Sequence, residues 1–158
     1  MNVLSIHLED YSINNIYFLE TKKNLILNGV FTKIIYTHDN FTLNGMYFDF
    51  PIQCQKIEEV NKSKYIVHFD KKTDINKELW KKIHNFEYGL LIHYKNFVKR
   101  DKKFALNILK QLNNENFHIY EKISKDNKLN FLLKISGIWE TDNQYGITYK
   151  IVEAKNML

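Results

Sequence analysis

The sequence predicts a mainly β chain with one or two helices, on three observations. Leu129 to Glu140 and Gly146 to Glu153 read as two long strands joined by the short polar segment Thr141 to Tyr145. Asn24 to Tyr36 and Phe41 to Phe50 repeat that design around the polar segment Thr37-His-Asp-Asn40. Between these hairpins, Ile75, Leu79, Ile83, Phe86 and Leu90 fall at helical spacing.

At 158 residues the chain suits one domain, 1–158, with room for a real core. Its apolar content of 44% and aromatic content of 15% mark it as globular. The net charge of +5 favours polyanions over acidic partners. Nearly all of the positive charge is lysine. Arg100 is the single arginine, which argues against bidentate guanidinium readout of bases. Cys54 is the single cysteine, so no internal disulfide or cysteine zinc site is expected, and a reducing, intracellular compartment is. Met1 to Asp10 alternates apolar and polar residues and holds two acids, so neither a signal peptide nor a transit peptide is expected there. No apolar run approaches the ~18 residues of a membrane span, and no membrane partner is expected.

Taken in order, Leu4, Ile6 and Leu8 alternate as a short strand, and Ile16 to Leu19 reads as another. In the first hairpin, pairing Tyr36 with Phe41 places Ile34 opposite Leu43, Thr32 opposite Gly45 and Val30 opposite Tyr47. Leu27-Asn-Gly-Val-Phe31 and Leu43-Asn-Gly-Met-Tyr47 echo each other. Asn-Gly is a tight-turn signal, but the polar turn already reverses the chain, so both glycines read as kinks within long strands. Pro51 ends the second of these strands. Gln53 to Lys62 is ambiguous, and Tyr65, Val67 and Phe69 form a strand. Asp74 serves as N-cap of a helix that runs to about Tyr94. Lys95 to Lys103 is a basic loop; Ala105, Ile108, Leu109 and Leu112 suggest a shorter helix ended by Asn113-Asn114. Phe117 and Ile119 read as a brief strand.

The closing hairpin follows. Pairing Glu140 with Gly146 puts Trp139 opposite Ile147, Gly137 opposite Tyr149 and Ile135 opposite Ile151 on a core face. Ile138, Ser136 and Lys134 then oppose Thr148, Lys150 and Val152 on the other face. A glycine facing an aromatic residue lets the ring lie across bare backbone. The order of a long hairpin, a third strand, a helix, further strands and a closing hairpin is that of an OB-fold-like five-stranded Greek-key barrel, here with extra strands.

Catalytic chemistry has little to stand on. The six histidines form no His-x-x-x-His pair, and His68-Phe-Asp70 offers two ligands with no third in view. Ser136 is not in a nucleophile elbow, and five glycines do not make a phosphate loop. Glu153-Ala-Lys155 has the acid-x-lysine form of metal-dependent nucleases, but its candidate aspartates, Asp142 and Asp126, lie in loops. The expectation is a non-enzyme with no cofactor and no metal.

Binding chemistry has broader support. Lys99, Arg100, Lys102 and Lys103 crowd one segment beside Phe97, a pattern that tracks phosphates while a ring stacks on a base. Lys33, Lys134 and Lys150 add charge to the hairpin faces away from the core. Phe31, Tyr36, Phe41, Tyr47 and Phe48 supply stacking platforms, although strand aromatics more often pack inward, and Tyr145 sits at the rim of the last hairpin, whose loop flanks the oligonucleotide groove in OB-folds.

Two stretches also resemble a family from large DNA viruses. One is Asn24 to Phe50, with its two Asn-Gly pairs around Phe-Thr-Lys-Ile-Ile-Tyr. The other is Leu133-Lys-Ile-Ser-Gly-Ile-Trp-Glu140 followed by Gly146-Ile-Thr-Tyr-Lys150. The resemblance is to phage-type OB-fold single-stranded-DNA-binding proteins. It implies single-stranded nucleic acid as partner, DNA favoured, replication proteins and further copies of the chain as protein partners, and an infected host cell as the setting. Proteins of that type end in an acidic recruiting tail; Glu153-Ala-Lys-Asn-Met-Leu158 is short and not acidic, so tail-mediated recruitment is not expected. The competing expectation is a viral structural or assembly protein that binds other proteins through its β-barrel surface.

Overall fold

The computed structural model describes residues 5–24, 28–124 and 129–154. Ten strands and two helices follow the expected mainly β class. They are β1 (Ile16–Asn24), β2 (Gly29–His38), β3 (Phe41–Leu43), β4 (Met46–Phe50), β5 (Cys54–Asn61), β6 (Lys64–Phe69), α1 (Asp74–Val98), β7 (Lys103–Ala105), α2 (Asn107–Asn113), β8 (Asn116–Ile119), β9 (Phe131–Glu140) and β10 (Gln144–Glu153). The strands form a seven-stranded sheet, ordered β1-β2-β9-β10-β7 with β3 on β2 and β4 on β9, and a three-stranded sheet β5-β6-β8. The sheets are not closed into a barrel: the larger ends at β1 on one side and at the parallel β7 on the other.

β9 organises the large sheet. One edge pairs with β10 along its length. The other edge is shared, with Gly137–Glu140 pairing to β2 and Phe131–Ile135 pairing to β4. The chain reaches β4 by leaving β2. His38 pairs with Phe41 across a two-residue turn, Asp39-Asn40, so Tyr36 opposes Leu43 rather than Phe41. After three residues of β3 the chain bends at Gly45, whose φ of 91° is a left-handed value that glycine adopts without strain. The second Asn-Gly pair is therefore a kink, as expected. The first is not, because Gly29 opens β2 and pairs with Asn24 at the base of the β1–β2 hairpin. Of the N-terminal strand, Leu4 lies outside the described residues, and among the described ones Ile6 makes a bridge to Phe48.

The closing hairpin differs from its expected register. Trp139 opposes Gly146 and Ile138 opposes Ile147, while Ile135 opposes Tyr149. A bulge at Ser136-Gly137 inserts one residue and reverses the alternation beyond it. Ile135 and Ile138 therefore both face the core, and Trp139 is moved to the opposite face. Tyr149 stays on the inner side, its hydroxyl donating to the Asn107 carbonyl at 3.3 Å.

The core lies on one side of the large sheet. α1 is capped by Thr73, one residue before the expected Asp74, and runs past Tyr94 to Val98. It lays Phe86 on Phe48 and Tyr94 on Phe18. The small sheet presses Phe117 on Phe50 and Phe131 from the same side. All of these strand residues point to one face, so the other face is covered by no described segment.

Candidate nucleic-acid interface

Alternation along the strands assigns the uncovered face. It carries Phe31, Lys33 and Ile35 of β2, Tyr47 and Asp49 of β4, Leu132, Lys134 and Trp139 of β9, and Lys150 and Val152 of β10. Every one of these is half-buried or exposed. Phe31, Ile35, Tyr47, Leu132, Trp139 and Val152 neither belong to the core nor pack against it, unlike the partly buried aromatics Phe18, Phe41 and Phe104.

Two rings pack over glycines on this face. A Cβ at Gly137 would overlap the Phe31 ring, and a Cβ at Gly146 would overlap the Trp139 indole. Glycine beneath an aromatic residue thus works as anticipated, but with Phe31 in place of Tyr149. Phe31 and Trp139 face each other directly across β2 and β9. Among the described residues neither ring stacks on another aromatic, whereas the core rings interlock edge to face (Tyr94 on Tyr145, Phe48 on Phe86). Gly146→Ala is expected to keep the strand paired and lift the indole off β10. In a Trp80→Phe background, a red-shifted Trp139 emission with unchanged circular dichroism reads this out.

The charge of the face is positive. Lys22 opposes Phe31 on β1, Lys33 opposes Gly137, and Lys134 opposes Lys150. The Lys134 ammonium sits 5.6 Å from the Tyr47 ring centroid, a cation–π pair that props both side chains outward. Asp49 is the acid of the face, and its carboxylate lies 3.0 Å from His7 Nδ1. Glu20 lies at the margin, in the bulge of β1 between Phe18 and Thr21.

The expected site residues divide accordingly. Lys33, Tyr47, Lys134 and Lys150 come together on the uncovered face. Tyr36 does not, because its side chain is in the core and its hydroxyl accepts from the Ser12 N–H at 3.2 Å. Phe41 is half-buried, packs against the core and stacks on His38. Tyr145 is fully buried rather than at the rim, and its hydroxyl donates to the Arg100 carbonyl at 2.6 Å. It and Trp139 have exchanged the roles expected of them, as the bulge requires.

Within the basic loop, Arg100 and Lys102 are engaged by a buried acid. Glu140, 4% exposed at its side chain, accepts from Arg100 Nε at 3.0 Å, Arg100 Nη2 at 2.9 Å, Lys102 Nζ at 2.7 Å and the Tyr94 hydroxyl at 3.1 Å. Burial raises its pKa, but the hydrogen bonds from Arg100, Lys102 and Tyr94 outweigh that and hold it below the ordinary carboxylate value. The hydroxyls of Thr32 and Thr21 extend the network from Tyr94 toward β1. Lys99, Lys103 and Phe97 remain exposed. The open cleft of about 670 Å³ beside this loop is lined by Asp101 and Asp142 as well as Lys102 and Lys103, so it is no anion groove.

Of the nuclease constellation, Glu153 and Asp142 fall within the described residues. Glu153 is buried and accepts from the Ser124 N–H at 2.8 Å and from the Ser124 hydroxyl. Asp126 and Lys155 lie outside the described residues. No group of three potential metal ligands exists among the described residues. His68 pairs with Glu58 at 3.1 Å. Burial pushes the Cys54 thiol up to about 11, which leaves it a poor nucleophile. No helix among the described residues is long and apolar enough to cross a membrane.

Compared with family models, with curated proteins and with solved structures, the chain gives no match.

Proposed function

We propose that this protein is a non-enzymatic binder of single-stranded nucleic acid, DNA in preference, acting with little sequence preference in the replication, recombination or repair of a large DNA virus. The observation that supports this is the uncovered sheet face, with two rings packed over Gly137 and Gly146 among Lys22, Lys33, Lys134 and Lys150. Every base has a π face, so flat rings accept any sequence, and lysines neutralise phosphates without reading bases. In the same reading the protein works in a reducing compartment of the infected cell, alongside replication proteins.

The test is fluorescence anisotropy with a labelled thymidine oligonucleotide. Four lysine–phosphate contacts give a slope of log affinity against log salt of about −3, so affinity should fall roughly 50-fold between ~50 and ~200 mM salt. Trp139→Ala should lose about 5- to 150-fold at fixed salt. A titration flat at the lowest salt sinks the proposal.

A second reading takes its support from Ile35, Leu132 and Val152, which give the same face an aliphatic side, and from Tyr17 and Leu19, 53% and 41% exposed on edge strand β1. Such a surface suits a structural or assembly protein that docks other proteins or a second copy of itself. It is favoured if light scattering shows a concentration-dependent mass and the oligonucleotide does not bind.

A further inference from the structure

The uncovered face is not symmetric about its two rings. The bulge at Ser136-Gly137 places Phe31 over Gly137 on β9 and Trp139 over Gly146 on β10. Gly137 opposes Thr148, so Gly137 and Gly146 are diagonal neighbours across β9 and β10. Diagonal neighbours lie about 7–8 Å apart, a span that one unstacked nucleotide step covers.

On one side of the rings come Lys33, level with Gly137, and then Lys134 and Lys150, level with each other. On the other side comes the β9–β10 turn, Thr141–Gln144, which closes with the Thr141 N–H donating to the Gln144 carbonyl at 3.0 Å. That turn presents Asp142, Asn143 and Gln144 to solvent and no lysine. Lys102 is turned away to Glu140 and to the Thr141 carbonyl, and the exposed Lys103, which pairs with Gln144, lies beside the carboxylates of Asp101 and Asp142. The lysine side thus holds three lysines and Asp49, which meets His7 at 3.0 Å, whereas the turn side holds Lys103 with Asp101 and Asp142, so the positive charge is concentrated on the first.

We infer that the face takes a single strand in one orientation, with consecutive bases on Phe31 and Trp139, the sugar–phosphate backbone along Lys33, Lys134 and Lys150, and the base edges toward Asn143 and Gln144. The inference rests on the nucleic-acid reading and deepens it. A phosphate on the turn side would meet the Asp142 carboxylate, and a base on the lysine side would leave the rings bare. A duplex keeps its base faces stacked and offers the rings nothing, so the site demands unpaired bases.

The experiment uses the full chain with a thymidine oligonucleotide, the same strand carrying abasic positions, and the same sequence as a duplex. The abasic strand and the duplex are expected to bind at least tenfold more weakly than the intact strand. Replacing Lys33, Lys134 and Lys150 together by glutamine is expected to reduce the salt slope by about 2, whereas Trp139→Ala lowers affinity and leaves the slope unchanged. An oligonucleotide with one 4-thiothymidine is expected to crosslink to Phe31, Trp139 or the Thr141–Gln144 turn. If the intact strand binds but the slope responds instead to Lys99 and Lys103 and crosslinks fall on Phe97, the orientation is wrong while single-strand binding stands. Equal binding of the abasic strand or the duplex also overturns the inference. If the intact strand does not bind at all, the functional proposal falls with it.

Discussion

Glu140→Gln is expected to destabilise the protein by about 2–3 kcal/mol, because it releases the cations of the basic loop that Glu140 holds. The carboxylate is buried and holds two cations at once, bidentately with Arg100 and through a 2.7 Å bond to Lys102. Glutamine keeps the size but turns one acceptor into a donor and leaves both cations without a counter-charge. Removing one partner of a fully buried pair costs roughly 3–5 kcal/mol. Arg100 is 51% exposed at its side chain and regains solvent, which lowers that figure; Lys102, 19% exposed, regains less. For a chain of this length the loss corresponds to a melting point roughly 5–10 °C lower. Arg100→Met or Lys102→Met should each cost less, since the remaining cation still meets the carboxylate. Urea unfolding decides the matter: a loss under about 0.5 kcal/mol means the pair behaves as a surface salt bridge. The contribution has a pH sign. Glu140 is held below its ordinary value, so its stabilisation is present above that value and is lost as pH falls through the lowered one.

The network also explains why the basic segment was misleading as a binding loop. A run of lysines and one arginine reads in sequence as free positive charge, and its partner lies about 40 residues away, where no local pattern reveals it. Glu140 itself follows Trp139 in a strand whose alternation places it outside until the Ser136-Gly137 bulge is known. What was legible is what local periodicity carries: α1 from its apolar spacing, α2 up to Asn113, β6 and β8 from alternation, and Pro51 as the end of β4. What was not legible is pairing between distant strands. Nothing in Met46 to Phe50 says that it abandons β2 for β9, because both neighbours bury the same apolar alternation. Lys33, Lys134 and Lys150 were legible because each sits on the polar phase of its own strand; Lys22 was not, because only its pairing with Phe31 sets its face. As a stacking platform Phe31 could not be told from Phe48, which is in the core, and Trp139 reads as core, because strand aromatics ordinarily pack inward; the signal that separates them is the glycine beneath each ring.

The second large effect concerns a buried acid on the other side of the core, and its pH dependence runs opposite to that of Glu140. Glu87 of α1 is fully buried, and its two oxygens accept from the Ile108 and Leu109 N–H groups at 3.0 and 2.9 Å. These belong to the first turn of α2, whose own N-cap position, Leu106, has no capping side chain. Glu87 therefore caps α2 from a neighbouring helix. Burial pushes its carboxyl up to about 7, against the downward pull of the Leu109 and Ile108 N–H groups. The nearest facing titratable group, Tyr149, is itself driven up to about 12 by burial and then by the Glu87 charge. No salt bridge reaches Glu87 among the described residues. A folded-state value above the unfolded 4.5 means the native protein binds the proton more tightly. The stabilisation is fully present below about 4.5 and declines as pH rises through about 7, by about 3 kcal/mol in all. Glu87→Gln removes the charge and loses one of the two capping acceptors, a cost of ~1 kcal/mol. The variant should thus be less stable than the parent near pH ~5 and more stable near pH ~8, by about 1–2 kcal/mol at the alkaline end. The two stability curves must cross. Taking the difference between proteins cancels the titration of the histidines, which both share. Parallel curves across that range mean that Glu87 stays ionised in the fold, and the cap is then a charged one at every pH at which the protein works.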